Sequence, residues 1–390
     1  LEPRFVIDAR GLDRRQGSDP ATLQQQFGIS DALLPLWIAE PDLDLAPEVI
    51  EALQARATTG WYGYEMRPQS IIEAFWDWMA DRHRWDGSGL RTLVSPSVLT
   101  SVGAMIEQMT DPGDGVILQP PVFTGFKPVV TAAGRRPVRN ALTLTGPGYW
   151  MDLDDLAARA SDPTTRILIL CNPHNPVGRV WTLEELRAVA LICAQHDVFV
   201  LSDEIHADIV LPPHEFVPFA VAAAGIDVAW AATLGPIKTF GLAGVCDTLL
   251  VTDRDDVADW FQSRSAQLHL TRNNVFGLTA FETAYRRGGP WFDGLLELVA
   301  RNVDLLRERL PEQVRVLPLE GTYLAWLDLR ELDLTVPEIP TWLASAAGLA
   351  LSPGHWFGRE GAGFARMTIA VPSQTIERAA DRLAGAVAQR

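Results

Sequence analysis

The sequence predicts an α/β sandwich built round a mostly parallel sheet, followed by a smaller α+β domain. Three observations carry this. Apolar runs that suit strands alternate with helix-like stretches from about residue 96 to 251. After Arg166, the run to Cys171 is continuously apolar, as in a strand covered on both faces. Beyond a long amphipathic stretch at 292–310 the pattern changes to strand pairs and helices.

The elements follow in order. Residues 1–45 look irregular, with turn signals at 17–20. Pro47 suits a first helical position and opens a helix over 47–58; another covers 69–83. A helix starts after Pro96 and Ser97 and runs to about Met109. The Asp-Pro-Gly-Asp-Gly turn at 111–115 leads into a strand at 116–119, and a short strand lies at 136–139. Thr182 and Glu185 stand three apart as a capping box for a helix ending near His196. Strands are expected at 166–171, 198–202, 228–233 and 248–251. Then come the helix 292–310, strands 314–317 and 322–329, a helix 337–346, a strand 364–370 and a last helix 373–388. The chain divides accordingly into an arm (1–45) that joins the small domain, a large domain (46–285) and a small C-terminal domain (286–390).

Composition narrows the function classes. The 390 residues are 47% hydrophobic and 21% charged, with a net charge of −16. That balance argues against nucleic acid, which needs a basic footprint, and against anionic membrane surfaces. No apolar run reaches the length of a membrane span. Cys171, Cys193 and Cys246 form no CxxC pair and read as core thiols of a reducing compartment, so a cytoplasmic protein is expected. HExxH is absent and no metal site is expected. No GxGxxG follows a strand, which argues against a dinucleotide-binding dehydrogenase.

Four places carry chemistry, near the ends of predicted strands, where open α/β sheets place ligands. The loop Asn172-Pro-His-Asn-Pro-Val-Gly178 is a structured turn or a holder of the Asn175 amide. Asp203, in Ser202-Asp-Glu-Ile-His206, is a helix cap, a catalytic acid, a metal ligand or the partner of a cationic ring nitrogen. Lys238 follows the apolar run 228–233 among apolar and small residues. It is either a surface lysine or an amine whose lowered pKa makes it a nucleophile for carbonyls. Arg366 interrupts an apolar strand and needs an anion, from a side chain or from a substrate carboxylate.

Together these stretches resemble fold type I of the pyridoxal 5′-phosphate (PLP) enzymes, the aminotransferase fold, and within it the cystathionine β-lyase branch of MalY/PatB-type C–S lyases. The resemblance rests on Trp37-Ile-Ala-Glu-Pro-Asp42, Gly60-Trp-Tyr-Gly-Tyr64, residues 171–178, 202–206 and 238–240, Thr322-Tyr-Leu-Ala-Trp-Leu-Asp-Leu329 and Gly363-Phe-Ala-Arg366. It implies that Lys238 carries the cofactor as a Schiff base and is the catalytic residue, and that Asp203 keeps the ring nitrogen protonated. Asn175 and His206 would lie near the phenolic oxygen, and Phe123 would stack on the ring. The phosphate would sit at Ser97, taking the N–H groups of Val98 and Leu99. Arg366, with Ala39 and Asn175, would bind the amino-acid substrate. Tyr64 would reach the phosphate of a partner subunit, making the active unit a homodimer.

Three positions depart from the resemblance. Phe123 stands where relatives carry a tyrosine, Ile237 where a serine precedes the lysine, and Gly235 where many have a hydroxyl for the phosphate. No arginine follows Lys238 within fifteen residues, which fits the lyase branch rather than the aminotransferases. The implied activity is β-elimination from L-cystathionine or an S-substituted L-cysteine, giving thiol, pyruvate and ammonia. The departures keep a second reading open: transamination, or decarboxylating or oxidative deamination, of a cysteine S-conjugate in a biosynthetic pathway. Trp37, Trp61 and Trp356 are candidates for an apolar substrate wall or for core packing.

Overall fold

The computed structural model describes residues 17–29, 33–270 and 273–390. The expectation of irregular chain over 1–16 and 30–32 lies outside these residues. The main sheet has seven strands in the order Arg91–Ser95, Thr248–Thr252, Trp230–Leu234, Phe199–Asp203, Thr165–Cys171, Gly115–Leu118, Arg136–Arg139. The last five pair in parallel. Thr248–Thr252 is antiparallel to both neighbours, so Arg91–Ser95 again runs with the five. Six C-terminal strand ends therefore face one edge of the sheet, where a doubly wound fold gathers its ligand-binding loops.

Both sheet faces are buried, and the strand period of two divides the residues between them. Ile167 and Ile169 join a core with Val102, Met105 and Ile106 of the helix Val98–Met109. Leu168 and Leu170 turn the other way, into a larger core with Leu186, Val189 and Phe219. That larger core continues through Leu324, Trp326 and Met367 of a second, antiparallel sheet. Its four strands are ordered Arg315–Val316, Leu324–Asp328, Phe364–Thr368, Ser352–Pro353.

The segment ahead of Pro47 is tied to this second region. Leu34–Pro35 pairs in parallel with Leu349–Ala350. Thr368 N–H donates to the Leu36 carbonyl at 2.8 Å, and Asp42 N–H to that of Ala370 at 2.9 Å. Residues 36–42 are thus laid along the strand that carries Arg366.

Local chemistry accounts for the helix starts. Pro47 begins Pro47–Thr58, and Ser97 caps Val98–Met109 by accepting from Thr100 N–H at 3.1 Å. Thr182 and Glu185 form the reciprocal capping box of Leu183–Gln195. The reading of 17–45 as irregular needs correction: Pro20–Phe27 is a helix, capped by Asp19 and closed by Gly28 at φ 78°. It buries only Leu23 and Phe27, too sparse an apolar stripe to read as a helix. All three cysteines are buried and free.

Candidate active site

The chemistry-bearing residues collect at the edge where the six strand ends face the same way. Lys238 lies on the one-turn helix Pro236–Thr239, just past Trp230–Leu234. Its Nζ donates to the Ala39 carbonyl at 2.6 Å, and the Tyr323 hydroxyl donates to the same oxygen at 3.3 Å. The side chain is partly buried, so it is no free surface lysine. Burial pushes its ammonium down to about 8, with Arg366 adding repulsion and Glu40 and Asp203 opposing it.

Asp203 ends the neighbouring strand Phe199–Asp203 and is buried. Its Oδ1 accepts from the Thr233 hydroxyl at 3.0 Å and from Ile205 N–H at 3.3 Å. Burial raises its carboxyl to about 6 against these bonds and against Lys238. His206 is buried, its Nδ1 has no partner among the described residues, and its ring meets Tyr323 edge-on at 5.8 Å. Burial first, then Lys238 and Arg366, hold His206 well below the usual histidine range, so it is neutral.

Arg366 is buried in Phe364–Thr368. Its Nη1 donates to Asn175 Oδ1 at 2.9 Å; its Nη2 donates to the Trp37 carbonyl at 2.7 Å and to Ser352 Oγ at 3.3 Å. The guanidinium lies 4.8 Å from the centre of the Phe357 ring, and its buried Nε has no acceptor among the described residues. Because arginine only donates, the Asn175 oxygen faces it and the Asn175 NH₂ turns elsewhere as a donor.

The loop holding Asn175 is pinned at both ends. Asn172 Nδ2 donates to the Val217 carbonyl at 2.9 Å, and Gly178 N–H to that of His174 at 2.8 Å. On the other side of the edge, Phe123 and Leu99 crowd the same space: a side chain at Gly125 would strike both. Ser97, Val98 and Leu99 form the first turn of a twelve-residue helix, whose free N–H groups attract anions.

Lys238, Ala39, Asp203, His206, Asn175 and Arg366 thus form one connected group, with Phe123 and residues 97–99 at the same sheet edge. Tyr64 stands apart. It is 90% exposed, on a surface shared with Tyr62 and Met66. The three tryptophans also separate. Trp37 and Trp356 meet edge-on at 6.2 Å, whereas Trp61 is exposed and packs under Arg56. Trp356 borders a cavity of about 620 Å³ that Phe123, Val122 and Phe357 also line, rimmed by Lys127, Arg139 and Glu360.

Three contributors to the site leave no mark in the local sequence. Tyr323 and Ser352 reach the group only through the second sheet, and Thr233 sits silently at a strand end. The motif 322–329 contained Tyr323, but nothing local marked its hydroxyl.

The model of the family described as aminotransferase class I and II matches residues 32–383. The chain belongs to that family. It is 35% identical over 369 residues to cystathionine beta-lyase PatB of Bacillus subtilis strain 168, covering 93% of this chain and 94% of that protein. It is 31% identical to protein MalY of Escherichia coli strain K12, covering 93% of each. Cystalysin from Treponema denticola, whose crystal structure contains a pyridoxal 5′-phosphate cofactor, superposes with a TM-score of 0.89 at 28% identity, over 100% of this chain and 99% of that one.

Proposed function

We propose that the protein is a PLP-dependent carbon–sulfur β-lyase that acts on L-cystathionine or an S-substituted L-cysteine and releases thiol, pyruvate and ammonia. One observation carries the reading: an amine of lowered pKa at Lys238 shares a buried site with a carboxylate, Asp203, and a buried arginine, Arg366. The family match supplies the cofactor class.

The residues present fit PLP. Lys238 is the amine that would hold its carbonyl carbon, and Asp203 would hold a proton on the ring nitrogen. His206 Nδ1 has no partner among the described residues, and the Asn175 NH₂, turned from Arg366, is a donor; both are available to the phenolic oxygen. The flat ring of Phe123 offers a stacking face, and Val98 and Leu99 N–H groups suit the phosphate. When bound, the cofactor supplies an electron sink that takes up the charge left at the substrate Cα.

The chain's own residues do the rest. Arg366 binds the substrate carboxylate, and its buried Nε is a donor that lacks an acceptor among the described residues. Without cofactor, the Ala39 carbonyl accepts from Lys238 Nζ, and the Tyr323 hydroxyl donates to that same oxygen. Lys238, in its neutral form, takes the Cα proton and holds it while the thiolate leaves. The low-lying lysine pKa keeps enough neutral amine near pH 7 for that task. The cavity beside Phe123 and Trp356 provides room for the sulfur substituent.

Phe123 favours a second reading. It gives no hydroxyl beside the ring to assist proton movement, so transamination or decarboxylating deamination of the same substrates competes with elimination. Incubation with cystathionine and a panel of S-substituted cysteines, with mass detection of every product, separates the two. Free thiol with pyruvate in equal amounts supports the lyase; an intact thioether in the product overturns it.

Two further expectations belong to this reading. The active unit is a homodimer, with the exposed Tyr64 passed to the partner's phosphate site; a monomer retaining full activity contradicts it. The chain functions as a large domain over 46–285 and a small domain over 286–390 joined by the arm 1–45. Among the described residues no helix is long and apolar enough to cross a membrane. A cytoplasmic setting suits the three free thiols.

A further inference from the structure

Lys238 sits on a helix of four residues, Pro236–Thr239. A single turn has no stability of its own, because nucleation costs more than one hydrogen bond returns. Its neighbours must fix it. Phe240 is buried against Trp78 at 5.3 Å and Tyr285 at 5.5 Å. Thr239 supplies the polar anchor: its hydroxyl donates to Asp208 Oδ2 at 2.6 Å.

Asp208 is itself held on its other oxygen. Trp78 Nε1 donates to Oδ1 at 2.8 Å, and His83 Nε2 lies 2.8 Å from the same atom. Trp78 and His83 belong to the helix Gln69–His83, and Asp208 stands two residues beyond His206. Asp208 and Thr239 are both buried, where a fully partnered carboxylate is rigid. One carboxylate therefore joins a helix of the large core, the segment carrying His206, and the turn carrying Lys238.

We propose that Asp208 is a positioning residue for the reaction: through Thr239 it fixes the backbone under Lys238, so that Nζ reaches both the cofactor carbonyl and the substrate Cα from one place. It touches neither cofactor nor substrate. The inference rests on the reading of Lys238 as the cofactor-bearing base. A lysine side chain already has four rotatable bonds, and freedom in its backbone would add to the search.

The test uses Thr239→Val, Thr239→Ser and His83→Ala in the full chain. Thr239→Val removes the donor and leaves Trp78 and His83 on the carboxylate. Its kcat falls about tenfold or more with KM changed by less than about twofold, the scale expected when reacting groups are displaced by a fraction of an ångström. Its apoprotein binds PLP with unchanged affinity, read by fluorescence, but develops the visible absorption of the lysine-bound cofactor about tenfold more slowly. Thr239→Ser restores the donor and recovers both rates. His83→Ala loosens Asp208 from outside and shifts both rates in the same direction, which keeps the test open should Thr239→Val fail to fold. Normal kcat and normal band formation in either folded variant overturn the clamp. Borohydride labelling of Lys238 keeps the two claims apart: label present with unaffected variants overturns the clamp alone, and label absent overturns the reading beneath it.

Discussion

Arg366 Nη1 donates to Asn175 Oδ1 at 2.9 Å, across 191 residues of sequence. The bond fixes both partners. It turns the Asn175 NH₂ away from the arginine, and it braces the guanidinium from below while Trp37 and Ser352 hold its other end. A buried arginine so braced is ready to receive a carboxylate without further ordering, which is what a specific amino-acid site requires.

Arg366→Lys keeps the charge and loses the planar fork. Substrate binding should weaken by about 1.5–3 kcal/mol, the worth of a hydrogen bond to a charged group. Steady-state kinetics should show this as a raised KM for every amino-acid substrate. Unchanged kinetics would remove Arg366 from the site.

Lys238 gives a pH dependence of definite sign. Its ammonium is pushed down to about 8 from its ordinary 10.5 by burial and by Arg366. Only the neutral amine attacks a carbonyl, so capture of PLP by the apoprotein should speed up as pH rises through about 8 and level off above it. Between about 8 and 10.5 the unfolded chain binds this proton more strongly than the folded one. The apoprotein should therefore gain stability over that window as pH rises, measured by denaturant unfolding. A capture rate flat across the window contradicts the assignment.

If Phe123 stacks on the cofactor as proposed, Phe123→Tyr would place a hydroxyl beside the ring. Cofactor affinity should be unchanged, because the stacking face is kept. The share of thiol-releasing product should change, and a real acid–base contribution is worth about 10²–10⁴ in rate. If rate and product ratio both stay constant over several substrates, position 123 is a stacking surface only.

Gly235→Ser would restore a hydroxyl near the phosphate, yet it should destabilise the protein. Gly235 has φ 150°, and an added Cβ would stand 3.2 Å from Thr248 Cα. Forcing a side chain into that backbone region costs about 1–3 kcal/mol. Denaturant midpoints of the two proteins measure it; equal midpoints would show that the turn can relax.

Elements with a local signature were legible in the sequence. The helices Pro47–Thr58 and Gln69–His83, the capping box at Thr182 and the apolar strand ending at Cys171 all announce themselves within a few residues. The strand Arg91–Ser95 did not. It is mostly half-buried and is a strand because Thr248–Thr252 lies beside it. The helices Asp255–Gln267 and Val275–Arg287 likewise carry no such signature, and the former is polar over most of its length. In the site, Lys238, Asp203 and Arg366 stood out because a charge in an apolar stretch needs a reason. Their partners did not: the Ala39 carbonyl lies 199 residues from Lys238, and a main-chain oxygen leaves no mark in composition. The clamp from Asp208 to Thr239 was equally silent, since each residue alone reads as an ordinary turn or helix-end residue.

Lys238 as the carrier of the cofactor is open to a direct test in this chain. Lys127 and Lys238 are its only two lysines, and Lys127 is exposed. The purified protein should be yellow, lose its visible absorption on borohydride reduction, and yield on peptide mapping a pyridoxyl group on Lys238 alone. A label on Lys127, or no label on either lysine, would show that Lys238 does not carry the cofactor.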